Sequence, residues 1–287
     1  MASNDQLPDT FERPAQPDGS FTIVLDYPVK SRPRYPIGQT PHSRLNDLLS
    51  RNQARYRALL ESFLPYAHQL EKIPATGETG GVTPYWINGF LPGLDAVAIY
   101  CLIAAKRPKY YFEIGSGNST KFARRAIRDY GLSTQIVSID PCPRAEIDEI
   151  CDEVVRLPLE DCAPEFFNRL DDGDLLFVDD SHRCFMNSDV TVFFLEVLPN
   201  LKKNVTVGIH DIALPYDYPA QWSERYYSEQ YLLACWLLAG TSKFEVLLPS
   251  AYASLDKSLA ATLDDLWRKL PDGVERHGSA FWLQTQE

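Results

Sequence analysis

The sequence lacks the features that mark several large classes of protein. No run reaches the roughly eighteen apolar residues that span a bilayer, and the first forty residues hold no apolar core of the length that a secretion signal needs. No Cys-x-x-Cys pair occurs among the six cysteines, so a zinc ribbon or a dithiol redox site is not expected. We therefore expect a cytoplasmic protein with reduced thiols and no membrane partner.

Positive charge is also scarce. The chain has 28 Lys and Arg against 39 Asp and Glu, which gives a formal net charge of −11 over 287 residues. A field of this sign repels phosphate backbones, so nucleic acid is not an expected partner. The 45% of hydrophobic residues is ordinary for a globular protein with one large domain.

Proline content and hydrophobic periodicity divide the chain into three predicted parts. Residues 1–43 form a proline-rich arm, in which the apolar stretch Phe21–Tyr27 is predicted to be a short strand or a strap. Such an arm could lie across a neighbouring subunit, which would make the protein a homodimer. Residues 44–107 form a helical extension that is predicted to contribute one wall of a ligand pocket, with helices over 44–72, broken near Pro65, and over 95–106. Residues 108–287 form the third part.

Short apolar runs alternate with helix candidates in this third part. The runs are YYFEI, QIVSID, EVVRL, DLLFVD, NVTVGIHD, FEVLLP and AFWLQT, and the helices are predicted over 119–129, 144–151, 163–170, 188–198 and 256–270. Such alternation is typical of a parallel sheet with helices on both faces. We therefore predict an α/β fold with a Rossmann-like, doubly wound sheet of seven strands, whose ligands bind outside the carboxyl ends of the strands.

A glycine loop, EIGSGNST, follows the first predicted strand. Gly115 and Gly117 permit a tight turn and a close approach of a ligand to the backbone. The next helix begins near Ser119, so its free N–H groups face the same crevice. At the end of the second strand, Asp140 can accept hydrogen bonds from both hydroxyls of a ribose. The crevice is therefore predicted to hold an adenosine-type cofactor.

Two residues favour a cationic cofactor over a dinucleotide. A dinucleotide site has a third glycine where this chain has Thr120. Glu113 adds negative charge where a pyrophosphate would need positive charge. S-adenosylmethionine is cationic at its sulfur and its amino group, and it therefore suits this loop better than a nicotinamide cofactor.

These segments carry a family resemblance. YYFEIGSGNST, SIDP and LLFVDDSH, on the first, second and fourth predicted strands, resemble the motifs of class I S-adenosylmethionine-dependent methyltransferases. With VDDSHRCFMNSDV and GIHDI, the chain is similar to the subgroup of macrocin-type sugar O-methyltransferases and cephalosporin-hydroxylase-like proteins, over about residues 83–250. The resemblance implies an antiparallel last strand. It also implies that Glu113, Gly115, Ser116 and Gly117 contact the methionine part, and that Asp140 binds the ribose.

Acids and histidines end two neighbouring strands. Asp179, Asp180 and His182 follow the fourth strand, and His210 and Asp211 follow the fifth. Because these ends open on the side of the glycine loop, the side chains are predicted to share one pocket beside the sulfonium, with Asp179 and Asp180 among the cofactor contacts. Asp179, His210 and Asp211 are candidate ligands of a divalent metal. Carboxylates suit magnesium and imidazoles suit iron, so the identity of the metal stays open.

The same cluster suggests a chemistry for methyl transfer to oxygen. His182 is predicted to accept the proton of the acceptor hydroxyl, and Asp179 and His210 complete the predicted catalytic set. A divalent cation would lower the pKa of the hydroxyl. Without a metal, His182 could still act as the base for a phenol acceptor, or assist methyl transfer to a carboxylate acceptor.

Aromatic residues follow the fifth strand in the segment LPYDYPAQWSERYY. Tyr216, Trp222 and Arg225 are predicted to line an acceptor pocket, because such side chains stack on a ring and bind an anion. Tyr85 and Trp86 are predicted to supply the opposite wall. Aromatic walls suit sugars as well as flat rings, so the predicted acceptor is a small molecule or a glycan.

Two other functions stay open at this point. The acid and histidine cluster is also compatible with a metal-dependent hydroxylase, which would consume dioxygen in place of S-adenosylmethionine. A catalytically silent cofactor-binding partner is the third interpretation. The four ionisable side chains argue against it, since an idle pocket need not collect them.

Overall fold

Seven strands form one mixed sheet in the computed structural model, which describes residues 28–78, 80–143 and 147–286. The strands are β1 Tyr110–Ile114, β2 Gln135–Ile139, β3 Glu153–Val155, β4 Leu175–Val178, β5 Thr206–Ile209, β6 Phe244–Pro249 and β7 Phe281–Thr285. Their order is β3-β2-β1-β4-β5-β7-β6. β7 is antiparallel to β5 and β6, and the pairs among β1 to β5 are parallel. The predicted α/β fold with an antiparallel last strand is confirmed.

The central strands β4 and β5 are buried along their whole length, which explains their continuous apolar runs. Gly208 is the residue of β5 that has no side chain. A Cβ at this position would lie 2.6 Å from the ring of Trp282 and 2.8 Å from the ring of Phe177. The missing side chain therefore lets two aromatic rings from neighbouring strands pack over the backbone of β5.

Ten α-helices accompany the sheet in the described part of the chain: α1 Ser43–Ser50, α2 Gln53–Glu61, α3 Ala67–Leu70, α4 Gly93–Lys106, α5 Asn118–Asp129, α6 Asp189–Val192, α7 Glu229–Ala239, α8 Ser250–Leu255, α9 Lys257–Ala260 and α10 Asp264–Trp267. The helices predicted over 95–106 and 119–129 are confirmed as α4 and α5. The predicted helix over 44–72 is divided into α1, α2 and α3. A 3-10 turn at Leu64–Tyr66 contains the predicted break at Pro65.

Several predicted helices are shorter than expected. The segment 163–170 forms a 3-10 helix, Pro164–Arg169, and 188–198 forms α6 followed by a π-helical stretch, Phe193–Val197. The segment 256–270 is divided between α9 and α10. Of the helix predicted over 144–151, residues 144–146 lie outside the described residues and the rest contains a single 3-10 turn. Short connections favour such turns because an α-helix needs several turns to offset its nucleation.

Residues 33–287 belong to one unit, which includes the helical extension, and residues 1–32 belong to another. The described residues of the second unit, 28–32, have no regular structure. The strand predicted at Phe21–Tyr27 lies outside the described residues. Among the helices of the described chain, none combines the length and the apolar character needed to cross a membrane.

Candidate active site

A cavity of about 870 Å³ opens at the carboxyl ends of β1, β2, β4 and β5. The chain runs outward from β1 to β3 on one side and from β4 to β5 on the other, so the cavity lies where the strand order changes direction. Its lining comes mainly from the ends of these strands and of β3 and from the segments that follow them: Gly115–Ser119, Ile139–Cys142, Pro158–Glu160, Asp179–Arg183, His210 and Asp211. The predicted cofactor loop, the predicted ribose acceptor and the predicted metal ligands therefore share one cavity.

The two glycines of the loop have different surroundings. Gly115 has a φ of +74°, and a Cβ there would lie 1.8 Å from the carbonyl oxygen of Asp179. Gly115 thus lets the ends of β1 and β4 approach each other. A Cβ on Gly117 would have no other atom within 4 Å, and this glycine lines the cavity. The room that a ligand needs is therefore found at Gly117.

Glu113 joins the first turn of α5 to β1. Its buried carboxylate accepts hydrogen bonds from the hydroxyls of Tyr111, at 3.1 Å, and Thr120. The Thr120 hydroxyl in turn accepts the N–H of Gly117 at 3.0 Å. This network explains why the chain has a threonine where a dinucleotide site has a glycine. Glu113 does not line the cavity, so its contact with the methionine part stays a prediction.

The carboxyl of Glu113 should make stability depend on pH. Burial raises its pKa to about 7, against the opposing hydrogen bonds from Ser119, Thr120 and Tyr111. A raised folded-state pKa stabilises the native state below the usual value of 4.5, and this contribution is lost as the pH rises through 7. Relative to Glu113→Gln, we expect the free energy of unfolding of the wild type to fall by about 2 kcal/mol from about pH 5.5 to about pH 8. Urea unfolding of both proteins measures this, and a difference that does not change with pH contradicts it.

Asp140 is held at the end of β2 by backbone donors. Its Oδ2 accepts the N–H of Ser116 and its Oδ1 accepts the N–H of Cys142, both at 2.8 Å. A carboxylate has about four acceptor positions, so lone pairs remain for a ligand. The Ser116 hydroxyl also lies 2.8 Å from that of Ser138. The predicted ribose acceptor is therefore fixed against the glycine loop, on the wall of the cavity.

The predicted acid and histidine cluster is brought together. Oδ1 of Asp179 lies 3.2 Å from Nδ1 of His210 and 3.3 Å from Nε2 of His182. Asp211 lies 3.5 Å from Nε2 of His182 and 3.6 Å from Nδ1 of His210. Both imidazoles are buried, with 5% and 2% of His182 and His210 exposed.

Opposite charges compensate each other within this cluster. Burial alone would lower the pKa of both histidines. Asp179 and Glu229 raise the pKa of His182 well above 6.5, and Asp179 and Asp211 do the same for His210. Burial would raise the pKa of Asp179, but the two histidines hold it well below its usual range. Without a bound cation, the histidines therefore supply the positive charge that the acids need.

Two buried acids that the sequence did not single out contact these histidines. Oε2 of Glu229, the first residue of α7, lies 2.9 Å from Nδ1 of His182. Oδ2 of Asp95, in the first turn of α4, lies 3.4 Å from Nε2 of His210. A signal existed for Asp95, because it is a single acid in the apolar stretch GLDAVAIYCLIAA. We find no comparable signal for Glu229.

The donor atoms fit a divalent cation. Among the described residues, Asp179, His210 and Asp211 offer ligand atoms within 4.8 Å of one another, and so do Asp180, His182 and Glu229. The first group contains the three predicted metal ligands and lines the cavity. In the second group, Glu229 does not line the cavity. The first group is therefore the better candidate metal site.

Part of the predicted acceptor wall lines the cavity. Trp222 and Arg225 do so, and the Arg225 guanidinium lies 4.6 Å from the centre of a Trp222 ring. Tyr227, which ends the predicted aromatic segment, also lines the cavity, with its ring 4.6 Å from that of His182. This wall therefore reaches the histidine cluster.

The other predicted wall residues lie elsewhere. Trp86 is 3% exposed and packs against Phe122, with ring centres 5.2 Å apart, and the Tyr85 ring covers Gly77. Neither these residues nor Tyr216 lines the cavity. The loop after Trp86 contributes instead through its segment Gly89–Leu91. Tyr85 and Trp86 therefore do not form the predicted opposite wall, because the Trp86 ring packs against α5 and the Tyr85 ring lies against Gly77.

Comparison with known proteins agrees with this geometry. Residues 112–212 match the family model of a methyltransferase domain. The matched segment extends from β1 to just beyond β5 and contains the glycine loop, Asp140 and the histidine cluster. This part of the chain is thus similar to a methyltransferase domain. No curated protein sequence matches the chain.

Solved structures give more distant similarities. An SAH-bound methyltransferase of Podospora anserina is 17% identical, with 68% of this chain and 79% of that one covered and a TM-score of 0.41. An O-methyltransferase of Streptomyces achromogenes involved in tomaymycin synthesis, in complex with SAM, is 15% identical, with coverage of 66% and 78% and a TM-score of 0.37. An O-methyltransferase of Bacillus cereus, in complex with SAH, is 14% identical, with coverage of 88% and 94% and a TM-score of 0.38.

Proposed function

We propose that the chain is an S-adenosylmethionine-dependent O-methyltransferase that acts on a hydroxyl of a small molecule or a sugar. The observation that carries the proposal is the shared cavity. It joins the glycine loop and Asp140, which suit the cofactor, to an acid and histidine cluster that suits proton removal, all within the segment that matches a methyltransferase domain.

The cofactor side of the cavity fits a cationic adenosine compound. The open space beside Gly117 leaves room for the methionine part, and Asp140 retains acceptor positions for the ribose hydroxyls. The acids that line the cavity, among them Asp179 and Glu160, favour a positive charge. When bound, S-adenosylmethionine supplies an electrophilic methyl group, and the chain holds it in line with the acceptor oxygen.

His182 is the proposed proton acceptor. Glu229 holds its Nδ1, so that Nε2 faces Asp179 and Asp211 at the cavity. A divalent cation held by Asp179, His210 and Asp211 would supply positive charge that lowers the pKa of the acceptor hydroxyl and of His182 itself. Both histidines are largely buried at the wall of the cavity, so an acceptor that fills the cavity would shield the proton from water.

The acceptor is proposed to carry an anionic or strongly polar group beside a ring. Arg225 lies over Trp222 and Tyr227, and no other described residue accepts a hydrogen bond from its guanidinium. Its donors are therefore available to a ligand in the cavity. Phe90, which is 65% exposed, offers an apolar surface on the lining of the same cavity.

Calorimetry with S-adenosylhomocysteine and with NAD tests the cofactor. We expect the first to bind and NAD not to bind. Asp140→Ala should lower the affinity for S-adenosylhomocysteine by about 10- to 100-fold, because charge-assisted hydrogen bonds to the ribose are lost. Asp272→Ala, on an exposed loop, is the control. Binding of NAD, or equal affinity of the Asp140→Ala protein, would contradict the proposal.

A further inference from the structure

Asp95 is a fully buried carboxylate that the proposed reaction does not use directly. It lies in the first turn of α4, and 0% of it is exposed. Its Oδ2 accepts the N–H of Ser279 at 2.6 Å, and its Oδ1 accepts the N–H of Ala280 at 3.0 Å. Burying a carboxylate is costly unless its charge is compensated. The two backbone N–H groups are neutral, so we looked for a charged partner of Asp95.

The carboxylate of Asp95 faces the imidazole of His210. Oδ2 of Asp95 lies 3.4 Å from Nε2, and the hydroxyl of Ser279 lies 3.3 Å from the same nitrogen. The backbone of β5, which ends immediately before His210, and the ring of Phe177, 5.8 Å away between ring centres, hold the imidazole in place. A ring that bound a cation through Nδ1 would keep its hydrogen atom on Nε2, where Asp95 offers an acceptor.

The opposite nitrogen of this ring faces the candidate metal ligands. Nδ1 of His210 lies 3.2 Å from Asp179 and 3.6 Å from Asp211. If a cation took the place of the hydrogen atom on Nδ1, the neutral ring would direct its Nδ1 lone pair at the cation, together with these carboxylates. A carboxylate, an imidazole and a metal in this order are a common arrangement, in which the outer carboxylate orients the ring and strengthens it as a ligand.

We propose that Asp95 is a positioning residue that holds His210 with Nδ1 directed at the cation, and that this nitrogen makes the site prefer a transition-metal dication to magnesium. The inference rests on the proposed function for the presence of a cation. One nitrogen and two carboxylates form a mixed donor set, whereas magnesium favours oxygen ligands alone. The preference for a transition-metal dication over magnesium therefore follows from His210, which stands where an all-oxygen site would have an acid.

The first test compares Co²⁺ and Mg²⁺ by calorimetry on the full chain. We expect one Co²⁺ per chain, bound about 100-fold more tightly than Mg²⁺. Asp95→Asn should lower the affinity for Co²⁺ by about 10- to 100-fold. Asp174→Asn is the matched control, because Asp174 is also buried and also accepts two backbone N–H groups, from Tyr110 and Asp171, before β4 begins. Its Co²⁺ affinity should equal that of the wild type.

A second variant keeps the proposal testable if Asp95→Asn folds poorly. His210→Asp supplies oxygen donors only, and it should reverse the preference in favour of Mg²⁺ and change the visible absorption spectrum of bound Co²⁺. The proposal is overturned if the wild type binds Mg²⁺ as tightly as Co²⁺, if His210→Asp keeps the Co²⁺ preference, or if Asp95→Asn folds and binds Co²⁺ within twofold of the wild type.

The failure of this inference differs from failure of the proposed function. If S-adenosylhomocysteine binds and no dication binds, the inference is overturned and the cofactor assignment stands. If two dications bind per chain, the group of Asp180, His182 and Glu229 holds a cation itself, and the single site oriented by Asp95 is overturned. If S-adenosylhomocysteine does not bind, the proposed function fails, whatever the metal affinity.

Discussion

Replacing Gly117 with Leu is expected to abolish cofactor binding while leaving the protein folded. A Cβ at this position would have no other atom within 4 Å, so the larger side chain enters the cavity without touching the core. The φ of 177° lies outside the left-handed range that favours glycine. Because the leucine would occupy the space of the methionine part, we expect the affinity for S-adenosylhomocysteine to fall by about 100-fold or more.

Calorimetry and thermal unfolding measure the two effects of this substitution separately. Gly117→Ala should lie between the wild type and Gly117→Leu in affinity, because it fills less of the space. The melting temperature of both variants should equal that of the wild type. An unchanged affinity of Gly117→Leu would show that the ligand does not approach this part of the loop.

The second large effect is expected at Gly115, two residues earlier in the same loop. Here a Cβ would lie 1.8 Å from the carbonyl oxygen of Asp179, and the φ of +74° is unfavourable for residues with a side chain. The N–H of Asp179 donates a hydrogen bond to the carbonyl oxygen of Ile114 at 2.8 Å, so the backbone that must move is held by the sheet. We expect Gly115→Ala to lower the free energy of unfolding by about 3 kcal/mol, from the sum of conformational strain and overpacking.

Gly240→Ala is the matched control for Gly115→Ala. Gly240 has a nearly equal φ of +77°, but a Cβ there would meet no other atom within 4 Å. It should therefore cost only the conformational strain, about 1 to 2 kcal/mol. Urea unfolding of both variants gives the difference. Equal losses would mean that the contact of the new Cβ with Asp179 adds nothing to the cost of the substitution, and would contradict the prediction.

Much of the fold could be predicted because its signals are local. The seven apolar runs became the seven strands, since central parallel strands need apolar residues on both faces. The helices were less predictable after β2, where α-helical patterns became 3-10 turns or π-helical stretches. In these short connections, packing against the sheet decides the turn type, and the sequence pattern alone does not reveal it.

The acid and histidine cluster could be predicted for a different reason. Asp179, His182, His210 and Asp211 follow two adjacent parallel strands, and the carboxyl ends of such strands meet at one edge of the sheet. The topology therefore brings these residues together without knowledge of the side-chain packing. Their partner Asp95 comes from a helix that the chain places over the same edge, and only the three-dimensional structure shows that contact.

The acceptor wall shows the limit of reasoning from residue type. Trp86 and Trp222 both lie in loops rich in aromatic residues, and no feature of the sequence separates their roles. Trp86 packs against Phe122 under its loop, whereas Trp222 lies on the cavity beneath Arg225. Aromatic side chains serve packing and binding equally well, so their role depends on which face of the loop is covered.

The most direct test of the account is a crystal structure with S-adenosylhomocysteine. We predict density for the ligand in the cavity between β1 and β4, with its ribose hydroxyls within hydrogen-bonding distance of Asp140 and its amino-acid part beside Gly117. An empty cavity in crystals soaked at saturating ligand, or a ribose bound away from Asp140, would contradict the account.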